Sequence, residues 1–277
     1  MSLRALLLFL AFFAVGVGAL SAFLLSKRVG SLSSVLLRAR APLRDGRRES
    51  LAAWGRTLGC PRVLHDGVDM ASPAAAAASA ASLHAVGALE RRADIGTFLQ
   101  ALGKGGEGVE LGVQAGVFSE ALLTQWPNCS VLHLVDPWRQ QAQSVDVANV
   151  DSRGQERLFD ETNSRLAHFG ARARVHRAFS FDAVRDFRDA SLDLVYVDAV
   201  HDYEGALRDF CDWWPKLAPG GVFAGHDYLD GVVPEGLFGV RSAADRFAIA
   251  VNRQLFVTAG WPETEDRSEW ASFYMIK

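Results

Sequence analysis

A glycine-containing segment with one acidic residue is the first part of the chain whose residue types could do chemistry. It reads Val109-Glu110-Leu111-Gly112-Val113-Gln114-Ala115-Gly116-Val117-Phe118-Ser119. Gly112 and Gly116 let the backbone turn tightly and let a ligand approach where a Cβ would stand in the way. Glu110 could hold a cationic or hydroxyl-bearing group. Taken alone, the pattern is equally typical of a plain turn with Glu110 as a solvated cap.

Two polar residues follow the next two predicted strands. Asp136 ends the apolar segment 131–135, 26 residues after Glu110. A carboxylate at this position can accept hydrogen bonds from both hydroxyls of an adenosyl ribose, as in dinucleotide-binding folds. Ser180 follows the third strand, where it could contact an adenine. Ligands of open α/β sheets bind at the carboxyl ends of the strands, so these residues predict one site at that edge.

A second group of polar residues follows the fourth and fifth predicted strands. It reads Val195-Tyr196-Val197-Asp198-Ala199-Val200-His201-Asp202-Tyr203-Glu204, then Trp214-Pro215-Lys216-Leu217-Ala218-Pro219-Gly220-Gly221, then Gly225-His226-Asp227-Tyr228. With both groups in this order, the chain from about residue 84 to the end resembles the class I S-adenosylmethionine-dependent methyltransferases. The closer resemblance is to methyltransferase domain family 24, the more distant one to macrocin-type and catechol-type O-methyltransferases. The resemblance spans motifs on five strands and is specific for the fold and the cofactor, not for the substrate.

The resemblance implies a set of cofactor contacts. Glu110 and the two glycines would cradle the methionine and adenosine parts of S-adenosylmethionine, and Asp136 would bind the ribose. Many relatives have a glycine where Gln114 stands, and this departure weakens that one contact. The predicted cofactor-binding residues are Glu110, Gly112, Gly116, Ser119, Asp136 and Ser180.

The resemblance also implies a metal site beside the methyl acceptor. Asp198 and Asp227 match the metal carboxylates of metal-dependent relatives, and His226 is the candidate third ligand, although macrocin-type enzymes have an acidic residue there. A hard cation such as magnesium lowers the pKa of a hydroxyl acceptor. His201 matches the histidine of the macrocin-type enzymes and would act as general base. The predicted catalytic residues are therefore His201 and Asp198, and the predicted cofactors are S-adenosylmethionine and a divalent cation.

Each of these assignments has an alternative. Asp198 could cap the following helix, His201 could merely hydrogen-bond a neighbouring ligand, and His226 could be a packed loop histidine. A nicotinamide-dependent oxidoreductase would need G-x-G-x-x-G after the first strand, a spacing that Gly112 and Gly116 do not provide. A methyltransferase-like binding module without activity is the remaining alternative, against which the intact acidic residues argue. The function that the sequence favours is methyl transfer from S-adenosylmethionine to a small molecule, at a hydroxyl oxygen.

Alternating strand and helix signals from about residue 84 predict the scaffold of this site. They indicate a doubly wound α/β fold with a mostly parallel, seven-stranded, Rossmann-like sheet covered on both faces. The last strand has no full helix before it and is expected to enter antiparallel. Predicted strands lie at 108–111, 131–135, 173–176, 192–197, 221–224, 255–258 and 272–276, and predicted helices near 86–102, 117–125, 154–168, 203–213 and 240–253.

Composition narrows the class of partner. The 277 residues carry a net charge of −3 with no basic stripe in the last two-thirds, which argues against a nucleic-acid substrate and for a small-molecule acceptor. Three cysteines without a C-x-x-C pair argue against a zinc site. Free thiols are the favoured state, with a bridge from Cys60 to Cys129 as the alternative. The sequence does not indicate an oligomeric state.

The N-terminal segment is apolar and uncharged over residues 5–25. As a helix it would span about 31 Å, which matches the hydrocarbon core of a bilayer. We expect residues 1–25 to be a single-pass membrane anchor, with a cleaved secretory signal as the alternative. The basic residues that follow favour a cytoplasmic domain, whereas anchoring in the secretory pathway would favour the lumen. Residues 26–83 are expected to form a stem or linker, and residues 84–277 the methyltransferase domain.

Overall fold

The computed structural model describes residues 89–142, 146–258 and 270–277. The predicted anchor 1–25, the predicted stem 26–83 and the start of the predicted domain at residue 84 lie outside these ranges. Within the three described ranges, no helix has the length and apolar character needed to cross a membrane.

Seven strands form one sheet in the order β3-β2-β1-β4-β5-β9-β8. The strands β1 to β5 are parallel to one another, and β9 is antiparallel to both β5 and β8. This confirms the Rossmann-like α/β fold and the antiparallel entry of the last strand. The strands are β1 (Glu107–Leu111), β2 (Val131–Asp136), β3 (Ala173–Arg177), β4 (Leu192–Val197), β5 (Leu217–Gly225), β6 (Asp230–Val233), β7 (Gly236–Gly239), β8 (Phe256–Val257) and β9 (Phe273–Ile276), of which β6 and β7 form a separate hairpin.

Helices connect the parallel strands. Two of them begin with an aspartate cap: Asp151 accepts a hydrogen bond from the amide of Gly154, and Asp202 accepts one from the amide of Gly205. Such caps satisfy backbone N–H groups that have no partner inside the helix. The helices are α1 (Ile95–Ala101), α2 (Val117–Gln125), α3 (Ser152–Leu166), α4 (Ser180–Ala183), α5 (Tyr203–Trp213) and α6 (Val240–Ala250).

The core lies on both faces of the sheet. Along β4, Leu194 and Tyr196 belong to one apolar cluster with residues of α1 and α2, whereas Val195 and Val197 belong to a second cluster with residues of α5 and α6. Successive side chains of a strand point to opposite faces, so a continuous apolar strand buries both. The resulting rigid sheet holds the carboxyl ends of β1, β2, β4 and β5 side by side.

Four sequence expectations need correction. The helix predicted near 86–102 is a 3₁₀ turn at Arg92–Asp94 followed by α1. The β6–β7 hairpin was not predicted, because its residues Val232 and Leu237 are exposed and give no signal of a buried strand. Cys129 is buried and free, so the alternative bridge to Cys60 is wrong. Cys211 is disulfide-bonded, which contradicts the favoured free thiol there.

Candidate active site

The turn between β1 and α2 depends on glycine at Gly112. This residue has φ +83°, and a Cβ there would lie 1.9 Å from the backbone oxygen of Asp198 at the end of β4. Gly116 also has a positive φ, +72°, immediately before α2. Gln114 has φ +53°, which explains why a glycine suits this position: the left-handed conformation strains any residue with a Cβ. Glycine at position 112 is therefore needed to bring the ends of β1 and β4 together.

Asp136 lies at the end of β2, where the sequence predicts it, and binds the same turn. One carboxylate oxygen, Oδ2, accepts hydrogen bonds from the amides of Val113 (2.9 Å) and Gln114 (3.1 Å). The other, Oδ1, accepts one from the amide of Trp138 (2.7 Å). Since a carboxylate offers about four acceptor positions, at least one remains for a ribose hydroxyl. Asp136 thus fixes the turn and can still receive a ligand.

Glu110 and Ser119 form a buried pair. The Ser119 hydroxyl donates to Glu110 Oε2 at 2.6 Å, and both side chains are almost fully buried. Burial raises the pKa of Glu110 to about 8, and the hydrogen bond from Ser119 offsets only part of that effect. The pair joins β1 to the first turn of α2. A direct contact of either residue with a cofactor remains a prediction.

Ser180 begins α4 after β3, at the predicted edge of the sheet. Its hydroxyl donates to Asp209 Oδ1 at 2.6 Å. Burial raises the pKa of Asp209 to about 7. The hydroxyl of Ser180 is therefore engaged with α5, and its contact with an adenine remains a prediction.

The ends of β4 and β5 bring two carboxylates and a histidine together. His201 Nε2 lies 3.2 Å from Asp227 Oδ2 and 3.7 Å from Asp198 Oδ1. One ligand atom from each of the three residues lies within 4.8 Å of the others, close enough to share a cation. Asp227 has φ +53°, a strained conformation that is common at functional sites. The structure thus adds His201 to the predicted pair Asp198 and Asp227.

Two residues that sequence reasoning missed orient His201. Asp146 Oδ2 lies 2.6 Å from His201 Nδ1, and the ring of Phe238 in β7 stacks on the imidazole with centroids 4.7 Å apart. Burial lowers the pKa of His201, but its hydrogen bonds and the negative charges of Asp146, Asp198 and Asp227 outweigh this and raise it to about 10. Neither residue had a signal in the sequence, since both reach the site from loops and hairpins distant in the chain.

His226 lies beside this cluster. Its Nδ1 is 2.8 Å from Asp227 Oδ1 and 3.9 Å from Asp198 Oδ1. Its Nε2 and the Nε2 of His201 are buried, and neither makes a hydrogen bond among the described residues. Buried polar nitrogens without a partner are costly unless a ligand satisfies them. The role of His226 as a metal ligand stays a prediction.

Arg92 also reaches the site and was missed. Its guanidinium donates to Asp198 Oδ2 at 2.8 Å and lies 4.3 Å from the centre of the Phe118 ring. Burial raises the pKa of Asp198, but the charge of Arg92 and the nearby histidines hold it well below its usual range. A single arginine inside the helix predicted near 86–102 carries no sequence signal of this role.

Comparison with known proteins points to one family. The family model described as "Methyltransferase domain", of the family 24 type, matches residues 109–228, a range that contains the glycine turn and the β4–β5 cluster. An uncharacterised protein of Sinorhizobium fredii is 40% identical over 55 residues, which are 20% of this chain and 6% of that protein. The match therefore spans only a small part of that curated relative.

Solved structures with a similar chain path include two methyltransferases. The N-methyltransferase NodS from Bradyrhizobium japonicum, in complex with S-adenosyl-L-homocysteine, is 16% identical over 67% of this chain and 85% of its own, with a TM-score of 0.45. A SAM-dependent O-methyltransferase from Thermotoga maritima is 14% identical over 62% of this chain and 59% of its own, with a TM-score of 0.41. At these scores neither structure bears on the acceptor. The family match confirms the resemblance drawn from the sequence: residues 109–228 match the model of a methyltransferase domain of family 24.

Proposed function

We propose that this chain transfers a methyl group from S-adenosylmethionine to a hydroxyl oxygen of a small-molecule acceptor, with a divalent cation at the acceptor. The observation that carries the proposal is the approach of Asp198, Asp227 and His201 at two adjacent strand ends, directly beside the Gly112 turn. Methyl transfer from a sulfonium is an in-line displacement, so holding the two reactants in alignment supplies much of the rate.

The first half of the site suits the cofactor. The left-handed turn at Gly112 and Gly116 follows β1, and Asp136, which binds this turn, retains an acceptor position for a ribose hydroxyl. Asp136 is held by three backbone amides, so its carboxylate does not have to be ordered when the cofactor binds. A preorganised acceptor of this kind costs little entropy on binding.

The second half of the site suits a hard cation. Asp198, Asp227 and His201 would hold it, since carboxylate oxygens with an imidazole match magnesium, manganese and related ions. The Nε2 of His201 faces Asp198 and Asp227 and fits a ligand role, because Asp146 occupies the opposite ring nitrogen in the manner of many metal-binding histidines. A cation there would lower the pKa of the acceptor hydroxyl.

His201 is the residue on which the sequence and the geometry differ. Its Nε2 lies 3.2 Å from Asp227 Oδ2 and 3.7 Å from Asp198 Oδ1, which places it within reach of a cation shared with both carboxylates. We therefore propose His201 as a ligand in place of the predicted base. The two roles are separable: His201→Ala weakens manganese binding if the histidine is a ligand, and leaves it unchanged if the histidine is only a base.

Calorimetry on the purified chain tests the function. We expect S-adenosylmethionine and S-adenosylhomocysteine to bind and nicotinamide cofactors not to bind. With radiolabelled S-adenosylmethionine and a panel of catechol and aliphatic alcohol acceptors, we expect methyl transfer that a chelator abolishes and manganese or magnesium restores. Cofactor binding without transfer to any acceptor would favour the binding-module alternative. Full activity in the presence of a chelator would contradict the proposed role of the cation.

The N-terminal run supports a second part of the proposal, namely that residues 5–25 hold the chain in a membrane. The support is its length and the absence of charge. Carbonate extraction of the full-length chain should leave it in the membrane pellet. Recovery in the supernatant, with the N-terminus missing by mass spectrometry, would favour a cleaved signal.

A further inference from the structure

Arg92 is a mostly buried cation beside a site built of acidic residues. Its guanidinium pairs with Asp198 and lies over the faces of Phe118 and Tyr196, with 4.3 and 5.5 Å to the ring centres. The side chain is only 20% exposed. Aromatic faces attract a guanidinium and limit its movement, so this cation is held in one place.

The position of Arg92 relates it to the glycine turn. Phe118 is the second residue of α2, directly after the turn, and the backbone oxygen of Asp198 packs against Gly112. A guanidinium that contacts Phe118 and the carboxylate of Asp198 therefore lies at the border between the two halves of the site.

The three substituents of a sulfonium cofactor need three separate places in the site. The sulfur carries three substituents: the adenosyl group, the methyl group and the aminocarboxypropyl arm. With the ribose at Asp136 and the methyl directed to the acceptor at Asp198 and Asp227, we place the arm at the border of the glycine turn, where Arg92 lies.

Charge gives the arm a reason to meet Arg92. The arm ends in a carboxylate, which the carboxylates of Asp136, Asp198 and Asp227 would repel. A guanidinium has five N–H donors in a planar fork that matches a carboxylate. The hydrogen bond to Asp198 uses one of them, which leaves donors for a second carboxylate.

We propose that Arg92 binds the α-carboxylate of S-adenosylmethionine and thereby positions the sulfonium for transfer. This inference rests on the proposed function, because it assumes that S-adenosylmethionine is the cofactor. It assigns the 3₁₀ turn before α1 to the cofactor site, upstream of the family match at residues 109–228.

Decarboxylated S-adenosylmethionine isolates the interaction, because it lacks the carboxylate and keeps the sulfonium, the amine and the nucleoside. We expect the unmodified chain to bind S-adenosylmethionine about 10–100-fold more tightly than the decarboxylated compound, the range for a charge-assisted hydrogen bond. Arg92→Ala should lose this preference, so that the two dissociation constants become similar. Arg92→Lys should keep part of it, because the charge remains and the fork is lost.

The matched control is Arg91→Ala, which removes a neighbouring arginine that pairs with Asp94 and is 62% exposed. It should keep the full preference. If Arg92→Ala keeps the preference as well, or weakens both compounds equally, Arg92 does not bind the carboxylate. Melting curves of both variants identify any loss of folding, and in that case Arg92→Lys alone decides. If the unmodified chain binds neither compound, the proposed function fails, an outcome distinct from failure of the Arg92 assignment.

Discussion

The two halves of the candidate site are built in different ways. At the ends of β1 and β2, the Asp136 carboxylate is satisfied by three backbone amides of the neighbouring loops. At the ends of β4 and β5, Asp198 and Asp227 face imidazoles and a guanidinium, with distances between 2.8 and 3.9 Å. One half is held by the backbone, whereas the other is held by charges on side chains.

This difference indicates which half of the site can change its protonation or its bound ions. Backbone amides cannot lose or gain protons, so the first half keeps its shape whatever is bound. The second half places negative groups together, and such groups need a proton or a cation between them. In the ligand-free chain, protonated His201 and Arg92 supply that positive charge. We therefore expect cofactor binding to depend on shape and metal binding to depend on charge.

The largest expected effect is a loss of stability when the glycine turn in the backbone-held half is altered. Gly112→Ala should lower the free energy of unfolding by about 4 kcal/mol or prevent folding, because its Cβ would collide with the Asp198 carbonyl as well as strain a positive φ. The matched control is Gly103→Ala, which has φ +72° and nothing within 4 Å of the added Cβ. It should cost only about 1–2 kcal/mol. Urea denaturation measures both, and equal losses would contradict the close approach of the β1 and β4 ends.

The next effect concerns the buried carboxyl of Glu110. Its pKa is about 8 in the folded chain and 4.5 when exposed, so the folded state binds the proton more tightly. The stability it contributes is present below pH 4.5 and is lost as the pH rises to 8, on the order of 2–4 kcal/mol. Glu110→Gln should lose less stability than the unmodified chain between pH 5 and pH 8.5, by urea denaturation.

Burial also raises the pKa of Asp209 to about 7, so Asp209 gives the free energy of unfolding a pH dependence of the same sign. This contribution is present in both proteins. The difference between their pH profiles therefore isolates Glu110. Glutamine can still accept the hydrogen bond from Ser119, which keeps the local structure comparable. Parallel pH profiles would show that Glu110 is already ionised in the folded chain.

A smaller effect is expected on manganese affinity in the charged half of the site. Asp146→Ala should weaken manganese binding about 10–100-fold, because it removes the carboxylate that orients His201, without altering Asp198 or Asp227. Asp146→Asn can still accept the Nδ1–H bond and should recover part of the affinity. Calorimetry with manganese alone measures this. The control is Asp94→Asn at the exposed pair with Arg91, which should bind manganese normally. Equal affinity in all of these variants would remove His201 from the ligand set.

The smallest effect is expected for a change of Gln114 in the backbone-held half. Gln114→Gly should change the free energy of unfolding by about 1 kcal/mol or less, in the stabilising direction, because glycine adopts φ +53° without Cβ strain. The amide that donates to Asp136 is kept, so cofactor affinity should stay the same. A rise of a few degrees in the melting temperature is the expected result. A marked destabilisation would mean that the side chain of Gln114 makes a contact that matters.

Much of the scaffold could be predicted from the sequence. The boundaries of α2 and α5 agree with the predicted helices at 117–125 and 203–213, because apolar residues at helical spacing are bounded by a glycine turn and an aspartate cap. The strand β4 agrees as well, since a continuous apolar run is typical of a buried parallel strand. The β6–β7 hairpin could not be predicted, because it packs against His201 through Phe238 and exposes its other apolar side chains.

The same division applies to the candidate site. The sequence by itself determined Gly112, Gly116, Asp136, Asp198 and Asp227, because each of them lies at the end of a strand or in the loop that follows it, and parallel strands end at one edge of the sheet.

Only the tertiary structure decided what surrounds these residues. Arg92 meets Asp198 across 106 residues, and Asp146 meets His201 across 55. Such contacts depend on how loops cross the edge of the sheet, and no local pattern records that path. The physical reason is that strand ends are positioned by periodic burial, which a sequence displays, whereas partners of buried charges are chosen by proximity in space.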